Sequence, residues 1–196
     1  MLTELKKVER QAISQAADLL AAGEVVAFPT ETVYGLGADA LNWAAVAKIF
    51  AAKGRPADNP LIVHLYQAEQ AEALAYTNEL FYTLAKAFWP GPLTLIVPKK
   101  DCVPAIVTAG LDSVALRVPA HPAARWLLQA GKMPLAAPSA NSSGKPSPTL
   151  ADHVYQDLQG KIPLILDGGA VNIGLESTVV SLVSSPPAIL RPRKIS

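Results

Sequence analysis

Val25-Val26-Ala27-Phe28-Pro29-Thr30-Glu31-Thr32-Val33-Tyr34-Gly35-Leu36-Gly37 begins as an apolar run and passes into a hydroxyl-rich segment that ends on glycines. It reads as a buried strand, expected over 24–29, feeding a glycine-ended loop. Upstream, Val8, Ile13, Ala16, Ala17, Leu19 and Leu20 recur at helical spacing, and Gly23 is placed to close that helix in a left-handed cap. Downstream, Asn42 can cap a second helix over roughly 43–52, which carries Val46, Ile49 and Phe50 and delivers the chain to Lys53.

The same alternation continues. Leu61 to Leu65 has a strand pattern, helices are expected over 68–74 and 78–88, and Leu93 to Val97 resumes the sheet. Leu111 to Val118 reads as a strand, His121-Pro122 starts a helix ending near Gly131, and Leu135 to Ala137 returns as a short strand. Thr149 begins a helix to about Leu158, and apolar runs follow at 163–166, 178–183 and 188–191. Helix and strand alternate early and strands joined by short loops come later, which argues for an α/β mixed sheet covered by helices. The Pro/Ser-rich stretches at 142–148 and 184–187 are too short to separate domains, so a single domain over 1–196 is expected.

Composition excludes several classes. A net charge of +1 offers no sign of an extended nucleic-acid-binding surface. Cys102 is the only cysteine, which rules out an internal disulfide and a multi-cysteine zinc site and agrees with a reducing, cytoplasmic setting. Its plain reading is a small packed residue or an idle thiol. The N-terminus lacks the apolar core of a signal peptide, and no stretch approaches the length of a membrane span.

Two distant tracts carry the chemistry. Lys53-Gly54-Arg55-Pro56 sets two cations beside residues that resist regular structure, and Pro138-Ser139-Ala140-Asn141 sets a hydroxyl and a carboxamide in similar company. Together they suggest a composite site for a phosphorylated ligand, because an ammonium and a planar guanidinium suit a polyphosphate. Held in a loop, both cations are expected to tolerate substitution with little change in stability. Ser139 and Asn141 would point to one side of an extended backbone, although a turn satisfying its own backbone is the alternative. Arg117 lies inside the apolar strand Val114 to Val118, where burial demands an anionic partner, either a ligand or a structural carboxylate. His64 alternates with Val63 and Leu65 and should face the opposite side, as a ligand contact or as a satisfied histidine on the second sheet face. Glu31 and Glu176 sit beside threonine or serine in candidate caps or turns and receive no role. Neither a dinucleotide fingerprint nor a Walker phosphate loop occurs, and no pattern supports a transition-metal site.

Five collinear tracts, at 28–37, 53–60, 88–94, 139–141 and 174–179, together resemble the YrdC/Sua5 family in order and spacing from about Val25 to Arg191. The resemblance implies a twisted mixed sheet with flanking helices and a concave ligand-binding face, in a short form without the additional C-terminal domain of larger members. It implies synthesis of L-threonylcarbamoyladenylate and pyrophosphate from L-threonine, bicarbonate or CO2, and ATP, with Mg2+ accompanying ATP. In the family, Lys53, Arg55, Ser139 and Asn141 match a polar tetrad lining the cleft, with Lys53 and Arg55 expected to act in the chemical step. Thr32, His64, Arg117, Ser139 and Ser177 match amino-acid substrate contacts, and Lys53, Arg55, Asn59, Ser113, Asn141, Ser147 and Arg191 match nucleotide contacts. The family pathway passes the product to tRNA threonylcarbamoyl transferase proteins that modify adenosine 37, and direct RNA binding is expected to be weak. Two rivals share the fold: a non-catalytic double-stranded RNA or ribosome-assembly module, and the carbamoyl-adenylating domain type of hydrogenase maturation proteins.

Overall fold

The computed structural model describes residues 1–54 and 56–193, so Arg55 lies outside the described residues. The chain runs β1 (Glu4–Lys7), α1 (Arg10–Ala21), β2 (Val26–Pro29), β3 (Tyr34–Asp39), α2 (Trp43–Lys53) and β4 (Ile62–His64). A 3-10 turn at Ala68–Gln70 leads into α3 (Ala71–Leu74), followed by α4 (Glu79–Phe88), β5 (Leu93–Pro98), α5 (Ala105–Thr108), β6 (Ser113–Arg117) and α6 (Pro122–Gly131). The remainder is β7 (Leu135–Ala136), α7 (Ala151–Leu158), β8 (Leu164–Asp167), β9 (Thr178–Ser181) and β10 (Ala188–Arg191).

Among the described residues the strands form one ten-stranded sheet in the order β1-β8-β2-β3-β7-β4-β6-β5-β9-β10. Parallel pairs (β1 with β8, β8 with β2, β4 with β6, β5 with β9) occur together with antiparallel ones, which is the mixed sheet expected. Local signals set several boundaries. Asn42 accepts from the Ala44 and Ala45 N–H groups at 3.1 and 3.2 Å and so starts α2. Gly23, at φ +77°, closes α1 in a Schellman arrangement, its N–H on Leu20 O and that of Glu24 on Leu19 O.

Two strands depart from the sequence reading. Residues 34–37 are the start of β3 rather than a loop, paired antiparallel with β2 from Pro29↔Tyr34 to Val26↔Gly37. The glycine there serves packing: a Cβ on Gly37 would stand 2.7 Å from the Phe28 ring. The charged N-terminal segment is β1, joined to β8 in parallel register, and its charges suit a sheet edge.

Each face of the sheet is covered differently, and this makes the site. Ala27, Leu36, Val63, Leu95 and Leu116 pack on one face with Val46 and Ile49 of α2, Phe81 of α4 and Val154 of α7. Val26, Phe28, Leu135, Leu164 and Leu166 pack on the other with Ile13 and Leu20 of α1 and Leu127 of α6. Those two helices lie over β8, β2 and β3. Strand alternation turns His64, Thr94 and Arg117 to the face opposite Val63, Leu95 and Leu116, where β4, β6 and β5 extend past the helices. A concave polar cleft results.

Candidate functional site

The cleft has a volume of about 210 Å³. Thr32 and Gly35 from the β2–β3 hairpin, His64 from β4, Arg117 from β6, Ser139, and Ser177 with Glu176 and Arg191 from the β9–β10 region all line it. Its floor is set by the parallel register of β4 and β6, which puts His64 beside Arg117.

Arg117 is 3% exposed and is held on three sides. Its Nε donates to Gly91 O at 3.2 Å, Nη1 to Thr32 Oγ1 at 3.1 Å and Nη2 to Glu31 Oε1 at 2.6 Å. The anion that a buried arginine requires is therefore a structural carboxylate, Glu31, whose other oxygen accepts from the Ala120 N–H at 3.1 Å. His64 is 4% exposed, with its ring edge-on to Phe28 at 6.2 Å between centroids. Burial first, and the Arg117 charge second, pushes its imidazole down to about 3, so it is neutral in the physiological range. Its buried Nδ1 has no hydrogen-bond partner among the described residues.

Ser177 is fixed by a 2.7 Å contact with Thr94 Oγ1 and by Arg191, whose Nη2 donates to its hydroxyl at 3.2 Å and whose Nε donates to its carbonyl at 2.9 Å. Arg191 also pairs with Glu176. Burial lowers the Arg191 pKa, against the opposing pull of Glu176.

Lys53 differs most from expectation. It is the last residue of α2, 4% exposed, and the αL conformation of Gly54 ends the helix beyond it. Its ammonium donates to Ser139 O and, at 2.5 Å, to Asn141 O, so it ties α2 to the Ser139–Asn141 turn instead of standing in a loop that faces a ligand. Asn141 spends its amide on Ser142 O and Lys145 O at 2.9 and 2.7 Å, the self-satisfying alternative. Neither lines the cleft, whereas Ser139 does. Asn59 lies exposed on the rim. Ser113 shares the cleft face with Arg117 at the far end of β6, about 13 Å along the strand. Ser147, between Pro146 and Pro148, stands outside the lining.

Sequence reasoning passed over Glu31 and Thr94. The signal for Glu31 was the demand of Arg117 for a carboxylate, and for Thr94 a hydroxyl inside an apolar strand. Among the described residues no cluster of three or more metal-ligating side chains occurs. Glu31 and Glu176 are each paired with an arginine.

Fold and cleft together define an α/β domain of the twisted mixed-sheet type, with arginine, hydroxyl and neutral imidazole groups facing one small hollow. The chain belongs to the Sua5/YciO/YrdC family: the sequence model of that family, described as telomere recombination, matches residues 18–192. It is 56% identical over 188 residues to the threonylcarbamoyl-AMP synthase of Pyrococcus abyssi, covering 95% of this chain and 55% of that protein. It is 58% identical over 186 residues to the protein of the same name from Bacillus subtilis, covering 94% and 54%. The crystal structure of P. abyssi Sua5 complexed with L-threonine superposes with a TM-score of 0.92 at 55% identity, covering 97% of this chain and 56% of that one. The chain thus spans about half the length of these relatives.

Proposed function

We propose that this cleft makes threonylcarbamoyl-AMP from L-threonine, bicarbonate or CO2, and ATP. The observation that carries the reading is the hollow itself: buried Arg117, Thr32, neutral His64 and Ser177 face a space small against the roughly 300–1,000 Å³ of pockets that enclose drug-sized ligands. It suits an amino acid, and a 55% identical relative holds L-threonine. The nucleotide would extend outward past Ser139, Asn59 and Arg191, with Ser113 farther along the same sheet face.

In the reaction the threonine amine bonds to the carbon of CO2 and releases a proton. A carbamate oxygen then attacks the α-phosphorus as the bond to pyrophosphate breaks. Nothing here demands a covalent nucleophile; alignment and charge compensation suffice. His64, neutral and desolvated, offers a hydrogen bond without a charge that would compete for the carboxylate or carbamate. Arg191 is free to exchange Glu176 for phosphate oxygens, because that carboxylate is 41% exposed and solvent screens the pair. Lys53 contributes by shaping the Ser139 turn, and Arg55, two residues further on in the sequence, would contribute its charge. Magnesium would travel with the triphosphate.

The product would pass to transferase proteins acting on adenosine 37 of tRNA. The RNA-module reading is weaker, because a net charge of +1 gives the chain little to attract backbone phosphates. Pyrophosphate release with ATP and bicarbonate tests the function: it should depend on L-threonine, and equal release without any amino acid refutes the reading.

A further inference from the structure

We propose that Glu31 is a positioning residue for the amino-acid substrate: it anchors Arg117 and thereby fixes a directed hydrogen-bond chain that leaves the Thr32 hydroxyl facing the cleft as an acceptor. The inference rests on the threonine reading of the cleft and adds an orientation to it.

The anchor is rigid at both ends. The Glu31 side chain is 15% exposed, one oxygen taken by Arg117 and the other by the Ala120 N–H just beyond β6. The turn that carries it is pinned from outside, since Ile173 N–H donates to Glu31 O at 3.3 Å and Gly174 N–H to Thr32 O at 2.9 Å. Arg117 spends a different nitrogen on each of Gly91, Thr32 and Glu31, so the plane of its guanidinium is determined.

From there the proton directions follow. A guanidinium has no acceptor, so Thr32 Oγ1 must accept in its 3.1 Å contact with Arg117. Thr30 has a single hydroxyl proton and donates it to Val33 O at 2.7 Å. In the 2.8 Å contact between the two threonines Thr30 has no proton left to give, so Thr32 is the donor and shares the Thr30 oxygen with the Thr32 and Val33 N–H groups, each at 3.2 Å. Its proton and one lone pair are consumed, and a lone pair remains for the cleft. A lone pair receives an N–H and repels a carboxylate. The amine of the amino acid is thereby directed to Thr32, where it can be held for reaction with CO2. Without the Glu31 charge, Arg117 loses the contact that fixes its plane, and the direction of the chain is no longer imposed.

The test is calorimetric binding of L-threonine and, separately, of Mg-ATP to the wild type, E31Q, R117Q and the double variant, with thermal unfolding of each. A carboxamide has one acceptor oxygen and a donor, so Gln at 31 can serve Arg117 or the Ala120 N–H but not both. E31Q should weaken threonine binding on the order of tenfold to a hundredfold while changing ATP binding by less than about twofold, the pattern of a misplaced contact. In the R117Q background the same change should cost no further threonine affinity. Threonine binding by E31Q equal to wild type overturns the inference, as does an undiminished effect in the R117Q background. So does a joint loss of threonine and ATP binding that tracks a fall in Tm, the mark of simple structural support. Wild-type chain that binds no threonine overturns the functional reading and takes the inference with it, whereas wild-type binding with an unaffected E31Q overturns the inference alone.

Discussion

His64 should make the stability of this protein fall with acid in a way that one substitution removes. Its imidazole, at 6.5 when unperturbed, is pushed down to about 3 by burial and by the Arg117 charge. Below about pH 6.5 the unfolded chain binds a proton at this site and the native chain does not, so stability declines as pH falls toward the folded value. The slope approaches about 1.4 kcal/mol per pH unit, and between about pH 7.5 and pH 4.5 the His64 share comes to about 2.7 kcal/mol. His64→Gln keeps a neutral polar group there and removes the titration. Urea unfolding of both proteins at the two pH values isolates the site, because the carboxylates and the other histidines are common to both and cancel in the difference. The wild type should lose about 2.7 kcal/mol more than the variant over that interval. Equal losses would show that His64 is protonated in the native state and would refute the neutral imidazole on which its role in the cleft depends.

Lys53→Ala should cost about 1–3 kcal/mol, since it strips a charged donor from the Ser139 and Asn141 carbonyls; an unchanged urea midpoint would return Lys53 to the tolerant position expected of a loop cation. Gly37→Ala should destabilise by about 1–3 kcal/mol through the 2.7 Å approach to the Phe28 ring, and a neutral result by thermal unfolding would mean that the hairpin shifts to make room. L-Serine should support pyrophosphate release less well than L-threonine by roughly 10–200-fold in kcat/KM, the worth of one methyl contact; equal values would remove the side-chain pocket from the proposal.

Much of the local architecture is legible in the chain because its causes are local. Asn42 and Gly23 mark helix ends through bonds to residues a few positions away, and His121-Pro122 starts α6 in the same way. The five tracts in their order pointed to the family, and the family model matches 18–192. The β3 strand and the edge strand β1 escaped, since glycines and charges weaken the apolar alternation by which a strand is recognised, while pairing with β2 and β8 holds both in place.

The sequence by itself determined that hydroxyls, cations and a buried arginine exist in tracts of a particular order, and that Arg117 needs an anion. Only the tertiary structure decided which partner each group has. Glu31 reaches Arg117 across 86 residues and Lys53 reaches Asn141 across 88, distances over which spacing carries no information. Both contacts depend on strand register and on how the helices seat on the sheet, which are properties of the whole packed core. A buried charge has to be satisfied, but which side chain satisfies it is settled by where the backbone, once folded, leaves room.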